Sequence, residues 1–278
     1  MSSKVDLHLH STASDGVYSP TEIVRMAADN GLEYIALTDH DSVAGIAEAL
    51  AEAEKHPGLT VIPGVEISTD IAAGDVHILG YFVDWRNPDF VLKLSGMRDS
   101  REERGQAIIV KLAELGMPLE WSRVKEIAGD AVIGRPHITQ AMLEKGYISS
   151  FAEAFEKYIG RDGPAYAERI KLSPAEAVTL IESAGGLAVM AHPFTLPDVE
   201  VLIEALIPVG LAGIETYYAG YGDYEIEKLR RLAQKSGLVA TGGTDFHGLD
   251  QKTEMPIGGQ TVPMSAVKGL LGRLNRQL

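Results

Sequence analysis

Seven short apolar runs, separated by longer segments of helical period, constrain the fold of this chain more than any other feature. The runs span residues 5–10, 34–40, 60–68, 75–83, 186–193, 213–218 and 239–246. Each run is continuous, as expected for a strand that is buried on both faces. Strands that alternate with helices are typical of a parallel α/β fold rather than of a β-sandwich.

Helix start and stop signals lie between these strands. Ser19-Pro20 and Ser173-Pro174 each combine a good N-cap residue with a proline in the first turn. The alternation lapses at residues 85–164, where four helices are predicted at about 88–115, 119–128, 135–145 and 149–158. We therefore interpret residues 85–164 as an inserted helical subdomain, and residues 1–84 and 165–278 as the main domain.

The charge balance excludes one class of partner. The chain has 39 Asp and Glu against 25 Lys and Arg, which gives a formal net charge of −14. Such a field repels long polyanions, whereas proteins that bind duplexes neutralise phosphates with basic residues. We expect no duplex nucleic acid as a partner, and an anionic ligand only where bound cations reverse the local potential.

The chain has no cysteine, so any metal must bind imidazole and carboxylate groups. The first residues, MSSKVDLHLH, contain no apolar leader segment, and no stretch approaches about 20 uninterrupted apolar residues. We expect a cytoplasmic protein with no membrane partner. No obligate protein partner is evident in the sequence.

Nine histidines and carboxylates lie at or near the ends of the predicted strands. They are His8, His10, Asp15, His40, Glu66, His77, His192, Asp245 and His247. In a barrel of parallel strands the C-terminal ends meet at one rim, so distant residues become neighbours there. A single strand histidine is usually a hydrogen-bonded core residue, but six at one rim favour a metal site.

The spacing of His8 and His10 supports this interpretation, because alternate strand residues point to the same face and can reach one ion. Imidazoles combined with carboxylates suit Zn²⁺, Mn²⁺ or Fe²⁺ better than Mg²⁺ or Ca²⁺. Nine candidates exceed the needs of one ion, so we expect two or three. His56 lies in a predicted turn, and we expect it to be solvated surface.

Five short motifs contain the candidate ligands. They are DLHLH at 6–10 with SDG at 14–16, LTDHD at 37–41, PGVE at 63–66, AHP at 191–193 and TDFH at 244–247. In these motifs the chain resembles the PHP (polymerase and histidinol phosphatase) family of metal-dependent phosphoesterases. The resemblance implies a distorted seven-stranded (β/α) barrel with a trinuclear metal site, its active site covered by the inserted subdomain.

The resemblance also implies how the candidates divide among three ions. The first ion would take His8, His10, Glu66 and Asp245, the second Glu66, His77 and His192, and the third Asp15, His40 and His247. In some relatives a histidine stands at the position of Asp15. The third site would then differ in its metal preference.

The insert is similar to that of the stand-alone branch of the family that acts on nucleotides. It contains GRPH at 134–137 and YIGRDGPAY at 158–166. The resemblance implies hydrolysis of phosphate monoesters of small nucleotides, nucleoside 3′,5′-bisphosphates or AMP-like compounds, or of short oligonucleotide ends, by a hydroxide that the metals activate. The expected partner is thus a small phosphorylated substrate.

Arg135 and His137 are the candidate catalytic residues in the insert. Arg135 suits a bidentate grip on phosphate, and His137 would bind phosphate or protonate the leaving group. Without the resemblance, this motif is equally an ordinary helix start. Tyr217 and Tyr218 could line the substrate pocket, although aromatic core packing is the favoured interpretation.

Other functions remain open from the sequence. A histidinol-phosphate phosphatase would carry the same ligands, and a non-catalytic module could bind a nucleotide and metal without turnover. A candidate ligand at each of the nine positions favours catalysis. An amidohydrolase is a more distant alternative, since no lysine ends a predicted strand. Asp6 and Asp39 would either orient the imidazoles or stabilise strand ends.

Overall fold

A computed structural model of the chain contains two compact units, residues 1–92 with 171–278, and residues 93–170. It describes residues 3–71, 74–129, 133–168, 172–195, 199–249 and 253–277. We refer to the first unit as the barrel unit and to the second as the insert unit. Among the described residues, no helix has both the length and the apolar character needed to cross a membrane.

Seven strands form one sheet in chain order, β1 to β7. Their bounds are β1 Val5–Leu9, β2 Tyr34–Leu37, β3 Thr60–Ile71, β4 Gly74–Tyr81, β5 Leu187–Met190, β6 Leu211–Tyr218 and β7 Val239–Gly243. The two edges meet just beyond β1 and β7, where His10 N donates to Phe246 O at 3.0 Å and Asp245 N donates to His8 O at 2.9 Å. The sheet is therefore a nearly closed barrel, and the predicted fold class is confirmed.

One strand, β4, departs from the parallel arrangement that the sequence pattern favours. This strand runs antiparallel to both β3 and β5. Because β3 extends to Ile71 and β4 begins at Gly74, the connection is too short for a crossover helix, and the chain must turn straight back. The register pairs Ser68 with His77, so His77 reaches the ligand-bearing end of the barrel from the opposite direction.

Ten α-helices are described. Their bounds are α1 Pro20–Asp29, α2 Ile46–Ala53, α3 Pro88–Glu114, α4 Trp121–Ala128, α5 Arg135–Glu144, α6 Phe151–Ala154, α7 Pro174–Ser183, α8 Val199–Leu206, α9 Asp223–Ser236 and α10 Ser265–Gln277. The predicted N-caps are confirmed, since the side chains of Ser19 and Ser173 accept the backbone N–H three residues on. A single π-helical turn, Phe155–Ile159, follows α6.

Each unit has its own apolar core. In the barrel unit, side chains from the strands, among them Leu7, Ile62 and Val189, pack with Leu270 of α10. In the insert unit, Leu112, Val124 and Met142 belong to a separate buried cluster. The barrel core lies beneath the strand ends, and it gives the polar residues there a rigid base.

Candidate metal centre

The ligand-bearing end of the barrel brings the predicted residues together in three overlapping groups. These are His8, His10, Glu66 and Asp245; His10, Asp15, His40 and His247; and His40, Glu66 and His77, with ligand atoms in each group within 4.8 Å of one another. His192 joins them through Glu66, 3.1 Å from its ring nitrogen. All nine residues lie in the barrel unit. The structure therefore brings together the nine residues that the sequence places at or near strand ends.

Several of these residues lie just beyond the strands, where the backbone turns sharply. His192 and Asp245 have φ values of 26° and 54°, in the left-handed region that non-glycine residues rarely adopt. Such strain persists only where the surrounding structure holds it, and it is common at functional sites. Here it accompanies two of the candidate ligands.

Glu66 contacts more of the imidazoles than any other carboxylate in the cluster. Its Oε1 atom lies 2.8 Å from His77 Nδ1 and 3.1 Å from His192 Nε2. Its Oε2 atom faces three further imidazoles, at 3.3 Å from His8 Nε2, 3.2 Å from His10 Nε2 and 3.1 Å from His40 Nδ1. Each oxygen therefore faces a different part of the cluster, as a bridging ligand would.

Buried atoms of this cluster that have no hydrogen-bond partner among the described residues include His8 Nε2, His10 Nε2, Glu66 Oε2 and Asp245 Oδ1. They nevertheless lie close together, with Asp245 Oδ1 3.0 Å from His10 Nε2 and 3.2 Å from His8 Nε2. Polar atoms buried together in this way are unfavourable without a cation between them. The donor set of imidazole and carboxylate therefore fits a divalent metal ion.

The charges of the cluster are strongly coupled. Burial lowers the pKa of His8, but the carboxylates of Asp245, Glu215 and Glu66 outweigh it and raise that pKa well above its usual value. Burial raises the pKa of Glu66, but nearby imidazoles outweigh it and hold the pKa well below its usual value. Burial lowers the pKa of His40 to about 3. The carboxylates thus stay ionised, as metal ligands must.

The group around Asp15 is looser. Asp15 Oδ1 lies 3.4 Å from His247 Nε2, and Asp15 Oδ2 lies 3.8 Å from His40 Nε2. The rings of His10 and His247 stack with centroids 4.1 Å apart. These residues are close enough to share an ion.

Asp6 and Asp39 support the site through the backbone and hydroxyl groups. Asp6 accepts hydrogen bonds from Thr244 N at 3.0 Å and Gly258 N at 2.9 Å. Asp39 accepts from Ser11 N at 2.7 Å and from Ser14 Oγ at 2.6 Å. Of the two roles left open by the sequence, these bonds favour the one that stabilises strand ends.

Glu215 is a functional candidate that the sequence analysis missed. Its carboxylate is fully buried, 2.9 Å from His8 Nδ1. The only signal in the sequence is a glutamate inside the apolar run GIETYY at 213–218. Its imidazole partner lies 207 positions away.

The interpretation of these two tyrosines as core residues is correct for Tyr217 but wrong for Tyr218. Tyr217 packs against the barrel core, whereas Tyr218 OH donates to Asp245 Oδ2 at 3.0 Å. The Tyr218 ring also lies 5.6 Å from the His192 ring and 5.0 Å from the Tyr221 ring. Because the strand ends at Tyr218, its side chain reaches the site instead of the core.

His56 lies outside the nine-residue cluster, with Nε2 3.4 Å from Glu52 Oε1. It is partly buried, so it is less solvated than expected. In the insert unit, His137 Nδ1 accepts the backbone N–H of Gly134 at 2.9 Å, and the Arg135 guanidinium lies 5.2 Å from the Phe155 ring centroid. The bond to His137 is one that an ordinary helix start makes.

Comparison with known proteins agrees with this geometry. A family model described as the PHP domain matches residues 6–160. A 5′-3′ exoribonuclease of Haemophilus influenzae is 36% identical over 89% of this chain and 91% of its own, and a 3′,5′-nucleoside bisphosphate phosphatase of Chromobacterium violaceum is 33% identical over 87% of each. The structure of a suggested metal-dependent phosphoesterase from Bifidobacterium adolescentis superposes with a TM-score of 0.87 and 28% identity, over 98% of this chain and 96% of that one.

Proposed function

The chain belongs to the PHP domain family. On this basis we propose that it hydrolyses phosphate monoesters of small nucleotides or the ends of short oligonucleotides. It is a hydrolase, a metal-dependent phosphoesterase that acts on nucleotides. The two named relatives differ in substrate. Nucleoside 3′,5′-bisphosphates, AMP-like compounds and short oligonucleotides are therefore the candidates to compare.

The nine clustered residues would hold two or three divalent ions, with Mn²⁺, Zn²⁺ or Fe²⁺ as the candidates. We assign His8, His10, Glu66 and Asp245 to one ion, Glu66, His77 and His192 to a second, and Asp15, His40 and His247 to a third. The two carboxylate oxygens of Glu66 contact different imidazoles, which supports its role as a bridge. The buried, unpartnered atoms of the first set are the observation that carries this proposal.

When bound, such ions neutralise charge on phosphoryl oxygens and make water a stronger nucleophile near neutral pH. The chain's own residues position the ligands and the phosphate. Glu66 holds imidazoles on both sides, and Asp245 is oriented by the Tyr218 hydroxyl. In the insert, Arg135 would grip the phosphate, and His137 would bind phosphate or protonate the leaving group.

An aromatic cluster beside the metal centre supports a nucleotide substrate. Tyr221 lies 5.0 Å from Tyr218 and 5.4 Å from Phe194, measured between ring centroids. All three residues are partly exposed. Aromatic faces stack on nucleobases without strong sequence preference. This cluster would therefore bind a base while the phosphate lies at the metal centre.

Phosphate release by the Mn²⁺-loaded enzyme tests the proposal. The substrates are 3′-phosphoadenosine 5′-phosphate, AMP, a short 5′-phosphorylated oligoribonucleotide, histidinol phosphate and a long RNA duplex, with nucleotide release on the oligoribonucleotide and the duplex measured in parallel. We expect hydrolysis of one or more of the first three, lost in His8→Ala and retained in His56→Ala, a histidine outside the cluster. Faster hydrolysis of histidinol phosphate or of the duplex would overturn the proposed substrate class. Metal and nucleotide binding without turnover would instead indicate a non-catalytic module.

A further inference from the structure

Glu215 is a buried carboxylate that belongs to none of the three ligand sets. Its Oε1 atom lies 2.9 Å from His8 Nδ1, and its Oε2 atom accepts the backbone N–H of His192 at 2.8 Å. We infer that Glu215 is a positioning residue that orients His8 and His192 for two different ions at once. This inference rests on the proposed function.

The contact with His8 fixes which ring nitrogen faces the metal. In the proposed arrangement, His8 Nδ1–H donates to the Glu215 carboxylate, which accepts the hydrogen bond. The lone pair of a neutral imidazole then lies on Nε2, which is 3.3 Å from Glu66 Oε2 and 3.2 Å from Asp245 Oδ1. Outer carboxylates of this kind set the tautomer of metal-binding histidines.

The contact with His192 fixes a strained backbone. His192 has a φ of 26°, and its ring nitrogen Nε2 lies 3.1 Å from Glu66 Oε1. A hydrogen bond from its N–H to a rigid carboxylate helps to hold this conformation. Glu215 therefore acts on the second ligand set through the main chain, and on the first through a side chain.

Local irregularity in β6 accompanies the placement of Glu215. The register between β6 and β7 shifts between Glu215 and Tyr217, which indicates a bulge. Bulges re-aim side chains and occur often beside active sites. Glu215 lies before the shift and faces the two histidines. Tyr218 lies after it and contacts Asp245.

The test exploits the difference between a carboxylate and an amide. In Glu215→Gln, the amide has one oxygen and one NH₂ group, so it cannot accept from both His8 Nδ1–H and His192 N–H. We expect Mn²⁺ binding measured by calorimetry to weaken by about 10- to 100-fold at one site or more, with less metal retained after gel filtration. Glu215→Ala removes both contacts and should weaken binding further.

Glu225→Gln is the matched control, because Glu225 also accepts a backbone N–H, that of Gly222, but at the start of α9. It should bind Mn²⁺ like the wild type. A folded Glu215→Gln protein, verified by circular dichroism, that binds Mn²⁺ with unchanged affinity and stoichiometry would overturn the inference. If Glu215→Gln binds Mn²⁺ as tightly as the wild type, and the wild type itself hydrolyses nucleotides, only the inference about Glu215 fails. The proposed function is then unaffected.

A second measurement needs no variant of Glu215. In the Zn²⁺-loaded protein, long-range ¹H–¹⁵N NMR spectra should show His8 protonated at Nδ1, and His8→Gln identifies its signals. A His8 ring protonated at Nε2 would overturn the inference even if Glu215 variants fail to fold. Absence of Zn²⁺ binding by the wild type would contradict the proposed function itself.

Discussion

The two units of this protein differ in the buried charged side chains that the structure describes: the barrel unit gathers imidazoles and carboxylates in one cluster, whereas the insert unit buries Arg101 and Arg104. In the barrel unit, His8 and Glu66 are fully buried, and His8 Nε2 and Glu66 Oε2 have no hydrogen-bond partner among the described residues. In the insert unit, Arg123 pairs with Glu144 and Glu126 at 2.9 Å on the surface. Burying ionisable groups is costly, whereas exposed pairs change stability little. The costly burial of imidazoles and carboxylates in the barrel unit therefore indicates the candidate metal site.

The apolar cores do not explain this difference, since each unit has one. The insert core contains Leu112, Val124 and Met142. The barrel unit also has the cluster of imidazoles and carboxylates beside its core. We therefore expect changes at the barrel cluster to alter metal binding and catalysis, and changes in the insert to leave metal binding intact.

Replacement of Glu66 by alanine should have the largest effect. Glu66 faces five imidazoles, and its removal leaves them without the carboxylate that contacts them all. A bound metal stabilises the transition state by several kcal/mol, so kcat/KM should fall roughly a thousandfold or more. Phosphate release and metal analysis of the same samples measure both effects.

Glu144→Ala in the insert is the control for Glu66→Ala, because it removes a carboxylate from a surface pair. Its metal content and activity should match those of the wild type. Equal losses in both variants would break the contrast between the units.

Metal removal should affect the barrel unit more than the insert unit. A ligand at 100 times its Kd stabilises a folded protein by about 2.7 kcal/mol, equivalent to a rise in Tm of roughly 5 °C for a protein of this size. Chelation should reverse that rise. Hydrogen exchange followed by mass spectrometry should show lost protection around His8 and Glu215, and little change at Val124. Uniform loss across both units would contradict the prediction.

Much of the fold was predictable because buried strands leave long apolar runs in the sequence. The direction of β4 was not, since it depends on where β3 ends. The polar residues Ser68, Thr69 and Asp70 conceal the continuation of β3 to Ile71. Only the structure shows the short connection that forces β4 to run antiparallel.

The candidate site was predictable to the extent that its residues occur in short motifs near strand ends. His8 and His10 share one strand face, and Asp245 and His247 share one motif. Glu215 and Tyr218 were not predictable as site residues, because their partners are distant in sequence and they lie in an apolar run. Their roles depend on closure of the sheet and on the shift of register in β6.

Arg135→Lys tests whether the insert contributes to substrate binding. Lysine keeps the charge but loses the planar, bidentate geometry, and a hydrogen bond to a charged group contributes about 1.5–3 kcal/mol. We expect kcat/KM for 3′-phosphoadenosine 5′-phosphate to fall roughly 10- to 100-fold with unchanged Mn²⁺ content. Unchanged kinetics would assign Arg135 to the helix start alone. Lys125→Arg, on α4 of the same unit, should leave the kinetics unchanged.

Phe194→Leu should have the smallest effect and should depend on the substrate. Stacking of a base on an aromatic side chain contributes about 1–3 kcal/mol, so the KM for 3′-phosphoadenosine 5′-phosphate should rise roughly tenfold. Ribose 5-phosphate lacks a base, and its KM should not change.

The same substitution at Phe151, an exposed phenylalanine of the insert, should affect neither substrate. Because leucine is apolar and similar in size, a loss confined to the nucleotide would identify the aromatic face beside Tyr221 as the binding element. Equal changes with both substrates would instead show that Phe194 only supports the nearby His192.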